Sequence, residues 1–254
     1  MSDVENNDVQ NNAVGGMQGV TVSREYGSGG GEIAARLAKR LGWQLINHEI
    51  VSQVATALGV SEEEAEAYDE HVDSFVSRIL YTLSALTPPV VAAMPSQLTT
   101  DSRAFDHARR TVVEGAIAAG HVVIVGRGAQ VLLADRRDVL HVRMVAPLEQ
   151  RIKYVMQREG LDRPSAQTRI HLKDRDRAQY LMSEHRQNPA DAHLYDILVN
   201  TGVLDLDSVV DLLALALERK ATRLSTPVEE LGPGAGLPLY PEPPGNFNST
   251  LAEG

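Results

Sequence analysis

Five short β-rich runs separated by helix-period segments predict an α/β domain built on a parallel sheet. The strand candidates are apolar at consecutive positions, as in Val122-Val123-Ile124-Val125. That suits strands covered by helices on both faces rather than a half-solvated sheet. The segments between them repeat apolar residues at helical spacing. A glycine-rich turn also stands between the first strand and the first helix, where such folds commonly bind anions.

Taken in order, the first strand is "GVTVS" (19–23), followed by the turn "REYGSGGG". A helix opens near Gly30, with Ile33, Leu37 and Leu41 on one face and Arg36, Lys39 and Arg40 on others. "WQLIN" (43–47) is the second strand. Residues 48–119 hold helical patterns with no strand, interrupted by "LTPPVVAAMP"; Tyr68, Phe75, Tyr81 and Leu83 there read as packing residues. "HVVIVG" (121–126) and "VLHVRMV" (139–145) are the third and fourth strands, and Pro147 suits the first turn of the next helix. Residues 160–193 form a polar, arginine-bearing helical stretch. "DILVNT" (196–201) is the fifth strand. Asp205 then caps a last helix carrying Leu206, Val209, Val210, Leu213 and Leu217. The segments 48–119 and 160–193 exceed what a strand-to-helix connection needs, and are expected to be a substrate-binding insertion and a lid.

The 254 residues, 43% hydrophobic, suffice for one sizeable domain. Residues 1–16 read as a flexible polar arm and 226–254 as a proline- and glycine-rich tail, leaving 17–225 as the domain. A net charge of −10 argues against a nucleic-acid partner held by general phosphate neutralisation. No cysteine is present, which excludes disulfides and thiolate chemistry. No apolar run approaches the ~20 residues of a membrane span, and the acidic, amide-rich start is no signal peptide. The expected location is the cytoplasm, with no membrane partner.

Gly27, Gly29 and Gly30 free the loop backbone to turn its N–H groups inward, Ser28 adds a hydroxyl, and Arg24 stands at the mouth. A phosphate cradle and a simple helix-on-strand turn both fit. The full phosphate-loop pattern requires lysine and then serine or threonine after its last glycine; Gly30 and Gly31 hold those places here. A dinucleotide fold would want an acidic residue closing the second strand, where Asn47 and His48 precede Glu49. Arg127 sits between glycines just beyond an apolar strand, where α/β ligand sites form. Asp174 and Arg177, in "KDRDRAQY", read as a phosphate clamp or as a helix laced with local ion pairs. His48 is the one histidine placed for a substrate contact. The acidic run 61–73, with His71, reads as a solvated helix face, and no metal site is expected.

"SREYGSGG", "VIVGRGA", "HVRMVAP" with its following Glu and Arg, "D..R..Y" at 174–180 and "YDILVNT" together resemble the cytidylate kinase-like family. The resemblance runs from about residue 19 to 220. It implies a three-layer P-loop NTPase-like fold, with a five-stranded parallel sheet, the first strand central, a helical insertion that binds the nucleoside monophosphate, and a lid. The implied reaction is phosphoryl transfer from ATP, with Mg²⁺, to a nucleoside monophosphate, cytidylate-like or related. Nucleotides are thus the implied partners, and a homo-oligomer is left open. By the same resemblance Arg24, Gly27, Ser28, Gly29 and Gly30 line the phosphate loop, Arg127 reaches the acceptor, Asp174 and Arg177 form the lid motif, and Arg151 and Arg158 flank the lid. The chain departs from the pattern at the loop lysine, at the magnesium-ligand hydroxyl, at Gly31 where relatives carry a base, and at Asn47 where they carry aspartate. Those departures sustain an alternative: a nucleotide-binding or regulatory protein of weakened catalysis.

Overall fold

The computed structural model describes residues 14–47 and 102–232. The expectations for His48, His71 and the aromatic residues of the first insertion lie outside them. The elements run β1 (Gly19–Arg24), α1 (Gly30–Leu41), β2 (Gln44–Ile46), α2 (Ser102–Ala119), β3 (Val122–Val125), α3 (Ala129–Leu132) and β4 (Val139–Val145), then α4 (Leu148–Glu159), α5 (Arg163–His185), β5 (Ile197–Asn200) and α6 (Leu206–Ala221). The five strands form one parallel sheet in the order β2-β3-β1-β4-β5, with β1 central. All five expected strands and the central place of the first are therefore present.

Side-chain parity in the sheet sorts the core into two layers. Val20, Val22, Leu140, Val142 and Met144 point to the face covered by α1 and α6, where Ile33, Leu37, Leu213 and Leu217 are fully buried. Val122, Ile124 and Val139 point to the other face and meet Val112, Val113 and Ile117 of α2. Burial of this many Val, Leu and Ile side chains, at roughly 1.5–3 kcal/mol each, is the main term holding the sheet between its helices. On the second face β1 and β4 also align a polar row, because register pairs Thr21 with His141 and Ser23 with Arg143.

Helices α4 and α5 pack a smaller core of their own from Ile152, Val155, Ala166 and Ile170, against which Tyr26 of the glycine loop is packed. Within α5 only Ala166, Ile170 and Leu181 are buried, so its middle carries no apolar anchor. Asp205 caps α6 by accepting from the Ser208 N–H, as its position suggested. Pro147 lies one place earlier than expected, as the residue before α4 rather than within its first turn. Val14 to Gly16, which composition assigned to the arm, are ordered against the domain. Val14 and Met17 are buried in the main core, the Gly15-Gly16 pair between them forming a turn closed by Met17 N–H on the Val14 carbonyl.

Candidate functional site

A cavity of about 610 Å³ opens beyond the carboxyl ends of β1, β3 and β4, on the side where α5 crosses them. Parallel strands deliver their last residues to one edge, and the loops that follow converge there. The walls include Arg24 from β1, Arg127 after β3, Arg143 from β4, and Lys173, Asp174 and Arg177 from α5.

Arg24 is central to this arrangement. Its guanidinium lies against Gly126, where any Cβ would collide with Nη1. Burial, then the neighbouring cations Arg177 and Arg127, hold its pKa down to about 9. Among the described residues no carboxylate forms an ion pair with it, whereas Arg177 lies 3.6 Å from Asp174. Burial likewise depresses Arg177, with Asp174 acting in the opposite direction. A concave site in which desolvated guanidinium groups repel one another is stabilised by an anion.

Arg127 is held in the left-handed region at φ 67°, between Gly126 at 77° and Gly128 at 66°. Three successive residues of that conformation turn the chain sharply off β3 and carry the Arg127 side chain to the cavity. For a non-glycine residue such a conformation costs about 1–3 kcal/mol, and strain of this kind gathers at ligand sites.

Asp174 ties α5 to the glycine loop. Its Oδ1 accepts the Tyr26 main-chain N–H at 2.7 Å and its Oδ2 accepts Arg151 Nη1 at 2.5 Å. Arg151 also reaches the Tyr26 carbonyl at 3.2 Å and Glu25 at 3.5 Å, so it stands behind the loop rather than in the cavity wall. Arg177 donates to the Arg24 carbonyl at 3.3 Å and lies over the Tyr26 ring.

The loop itself is tightly built. Gly27, at φ 82°, backs onto the Arg151 carbonyl, and Ser28 Oγ donates to the Glu25 carbonyl at 2.9 Å. Gly29, at φ 75°, ends the loop beneath Leu206, and Gly30 begins α1 against Arg24. Gly29 gives α1 no side-chain cap, so the first-turn N–H groups are open to an anion. The structure thus gathers Arg24, Arg127, Asp174 and Arg177 at one cavity, with Arg151 and the glycines adjoining. It does not bring Arg158 there: that side chain is 65% exposed, 3.8 Å from Glu32.

Two contributors were missed in the sequence. Arg143, 8% exposed, donates to Ser23 Oγ at 3.1 Å and to Tyr195 Oη at 3.4 Å and stacks over the Tyr195 ring. Tyr195 in turn donates to the Pro189 carbonyl at 2.9 Å, fixing the segment that closes the cavity after α5. The available signal was an arginine inside an otherwise apolar strand, two residues from its carboxyl end.

A divalent cation finds little here. Gly31 replaces the loop hydroxyl, and the Ser28 hydroxyl is engaged with Glu25. Among the described residues no three His, Asp or Glu side chains are grouped to hold a metal. The described residues do not fit a protein-held magnesium ion. Among the described residues no helix is long and apolar enough to cross a membrane.

A crystal structure of a protein from Eubacterium ventriosum shares the fold, with a TM-score of 0.59 at 20% identity over 80% of this chain and 99% of that one. A cytidylate kinase from Methanopyrus kandleri is 28% identical over 107 residues, which are 39% of this chain and 55% of that protein. A uronate isomerase from Corynebacterium glutamicum is 30% identical over 149 residues, 58% of this chain but 28% of that much longer protein. The chain therefore spans about a half and about a quarter of those two relatives. The sequence profile of the cytidylate kinase-like family matches residues 19–203, and with that span of the fold and its glycine loop the chain belongs to the cytidylate kinase-like family.

Proposed function

We propose that this protein transfers a phosphoryl group from ATP to a nucleoside monophosphate, cytidylate-like or a closely related phosphorylated small molecule. The observation that carries this reading is the convergence of Arg24, Arg127 and Arg177 on one cavity at the carboxyl edge of the sheet, with no carboxylate paired to Arg24 among the described residues. Phosphoryl transfer requires little covalent help from a protein. It requires that the charge spread over the transferring oxygens be met by positioned cations in a site that excludes water. Three guanidinium groups on separate elements, two of them largely desolvated, provide that. The open N–H groups of α1 offer the donor phosphates a seat needing no side chain. Arg127 faces the acceptor, Arg177 and Arg24 the phosphates in transfer, and Asp174 with Arg151 keeps α5 positioned over them. The match to a uronate isomerase adds no support for isomerisation, since it covers only about a quarter of that protein.

The test is direct: purified protein, ATP and Mg²⁺ with a panel of nucleoside monophosphates, following diphosphate formation. Arg127→Ala and Arg177→Ala should each lower turnover about 10²–10³-fold, the usual cost of one preorganised donor. Full activity in either variant would refute the assignment. A second reading, nucleotide binding with weakened catalysis, is favoured by Gly30 and Gly31 in place of the lysine and hydroxyl. It predicts binding of ATP by calorimetry without turnover on any acceptor.

A further inference from the structure

In the phosphate-loop pattern, a first glycine precedes the lysine by six positions, with the second glycine immediately before the lysine. Placed on this chain with Gly29 as the second glycine, the lysine position is Gly30 and the first-glycine position is Arg24. Both are exchanged: arginine stands where the pattern has glycine, and glycine where it has lysine.

The geometry joins the two changes. A Cβ built at Gly30 would lie 2.8 Å from Arg24 Cβ and 3.3 Å from its Cγ, with Met144 Cγ at 3.2 Å on another side. The obstructing atoms are the root of the Arg24 side chain, not its flexible end, so rotation cannot clear them. Gly30 is in ordinary helical conformation, so backbone strain is not what demands glycine there. Gly31, one residue on, meets nothing within 4 Å, so the first turn of α1 is not crowded in general. The tightest contact is with Arg24, and Met144 adds the other.

We infer that Arg24 does the work of the missing loop lysine, and that Arg24 and Gly30 are one exchanged unit: the cation is delivered from the end of β1 instead of from the start of α1, and either placement excludes the other. This rests on the phosphate-binding reading above and adds which residue supplies the charge. The guanidinium, set between β1 and Gly126, faces the cavity that Arg127 and Arg177 share. One cation on β1 thus serves the loop and the cavity together, and its planar fork can engage two phosphate oxygens where a lysine offers a point charge.

The test is a four-corner comparison of wild type, Arg24→Gly, Gly30→Lys and the double variant, reading thermal stability and calorimetric binding of inorganic pyrophosphate and of ATP with Mg²⁺. Arg24→Gly should stay folded and bind at least about tenfold more weakly, the loss of one charge-assisted contact. Gly30→Lys should lower the Tm. The double variant should recover that Tm and bind within about threefold of wild type, measured on the same tenfold scale. Normal Tm and binding in Gly30→Lys would overturn the exclusion; a double variant binding no better than Arg24→Gly would overturn the exchange. Failure of wild type to bind pyrophosphate would overturn the role of Arg24. The two proposals fail separately: pyrophosphate binding with rescue but no turnover on any monophosphate defeats the kinase reading alone, and turnover without rescue defeats the exchange alone.

Discussion

The Tyr26 main-chain N–H donates to Asp174 Oδ1 across 2.7 Å, joining the glycine loop to the middle of α5, 148 residues away in sequence. Because that part of α5 has no buried apolar side chain, this carboxylate and its pair with Arg151 hold the helix over the cavity.

Asp174→Ala should therefore loosen α5 without unfolding the sheet. Side chains of Asp174 and Arg151 are 29% and 11% exposed, so the pair is partly screened. A loss of about 1–2 kcal/mol is expected, below the 3–5 of a fully buried pair. Hydrogen exchange should accelerate across 171–180 and remain unchanged in β1, β3 and β4. Unaltered exchange in α5 would show that other contacts hold it.

How far this was legible in the sequence follows from the physics of each part. Val122 to Val125 and Val139 to Val145 announced buried parallel strands because both faces of each are covered, and apolar continuity is a local property. Asp174 and Arg177 stood out by charge and spacing, and Arg127 by its glycine neighbours. Arg143 did not: within "VLHVRMV" it reads as one polar residue in a strand. Its value depends on Ser23 and Tyr195, residues 120 and 52 positions away. The exclusion between Arg24 and Gly30 was likewise invisible, since the five-residue turn between them must fold before those atoms meet. Arg158 suited the site by residue type, and the structure places it outside the cavity, 3.8 Å from Glu32 in the first turn of α1.

Arg127→Gly separates stability from binding. Glycine adopts φ 67° without penalty, and removing a cation relieves the depressed Arg24. The variant should be more stable than wild type by about 1 kcal/mol in urea denaturation, yet bind pyrophosphate at least about tenfold more weakly. Arg127→Ala, which keeps the strained φ, should gain less stability. A destabilised glycine variant would contradict both the strain and the repulsion.

His141 sets a pH dependence apart from the cavity. The residue is 6% exposed, Nε2 donates to the Leu133 carbonyl at 3.2 Å, and Nδ1 accepts from Thr21 Oγ1 at 2.8 Å, a pairing that satisfies the neutral form. Burial lowers its pKa; Asp196 opposes this, Lys220 reinforces it and the Leu133 carbonyl opposes it. With the folded pKa below the unfolded value of about 6.5, both states are neutral above that pH. As pH falls below it the unfolded chain binds the proton first, and stability declines until the folded ring titrates. The slope reaches at most about 1.4 kcal/mol per pH unit. His141→Gln should flatten the stability profile between pH 7.5 and 5.5 relative to wild type; parallel profiles would exclude the contribution.

Gly31→Arg should strengthen anion binding. The position is exposed, a side chain there meets nothing within 4 Å, and its backbone is helical, so the substitution is sterically free. Glycine is a poor helix residue, which favours the change by up to about 1 kcal/mol, while a cation at a helix N-terminus costs about 0.3–1. Net stability should thus move little. An added guanidinium beside the open first turn of α1 should raise pyrophosphate and ATP affinity several-fold at low salt, with the gain shrinking as ionic strength rises past the ~10 Å screening length of 0.1 M salt. Titrations at two salt concentrations measure this. If the arginine variant binds no more tightly at low salt, the anion does not approach the first turn of α1, and the cavity arginines alone hold it.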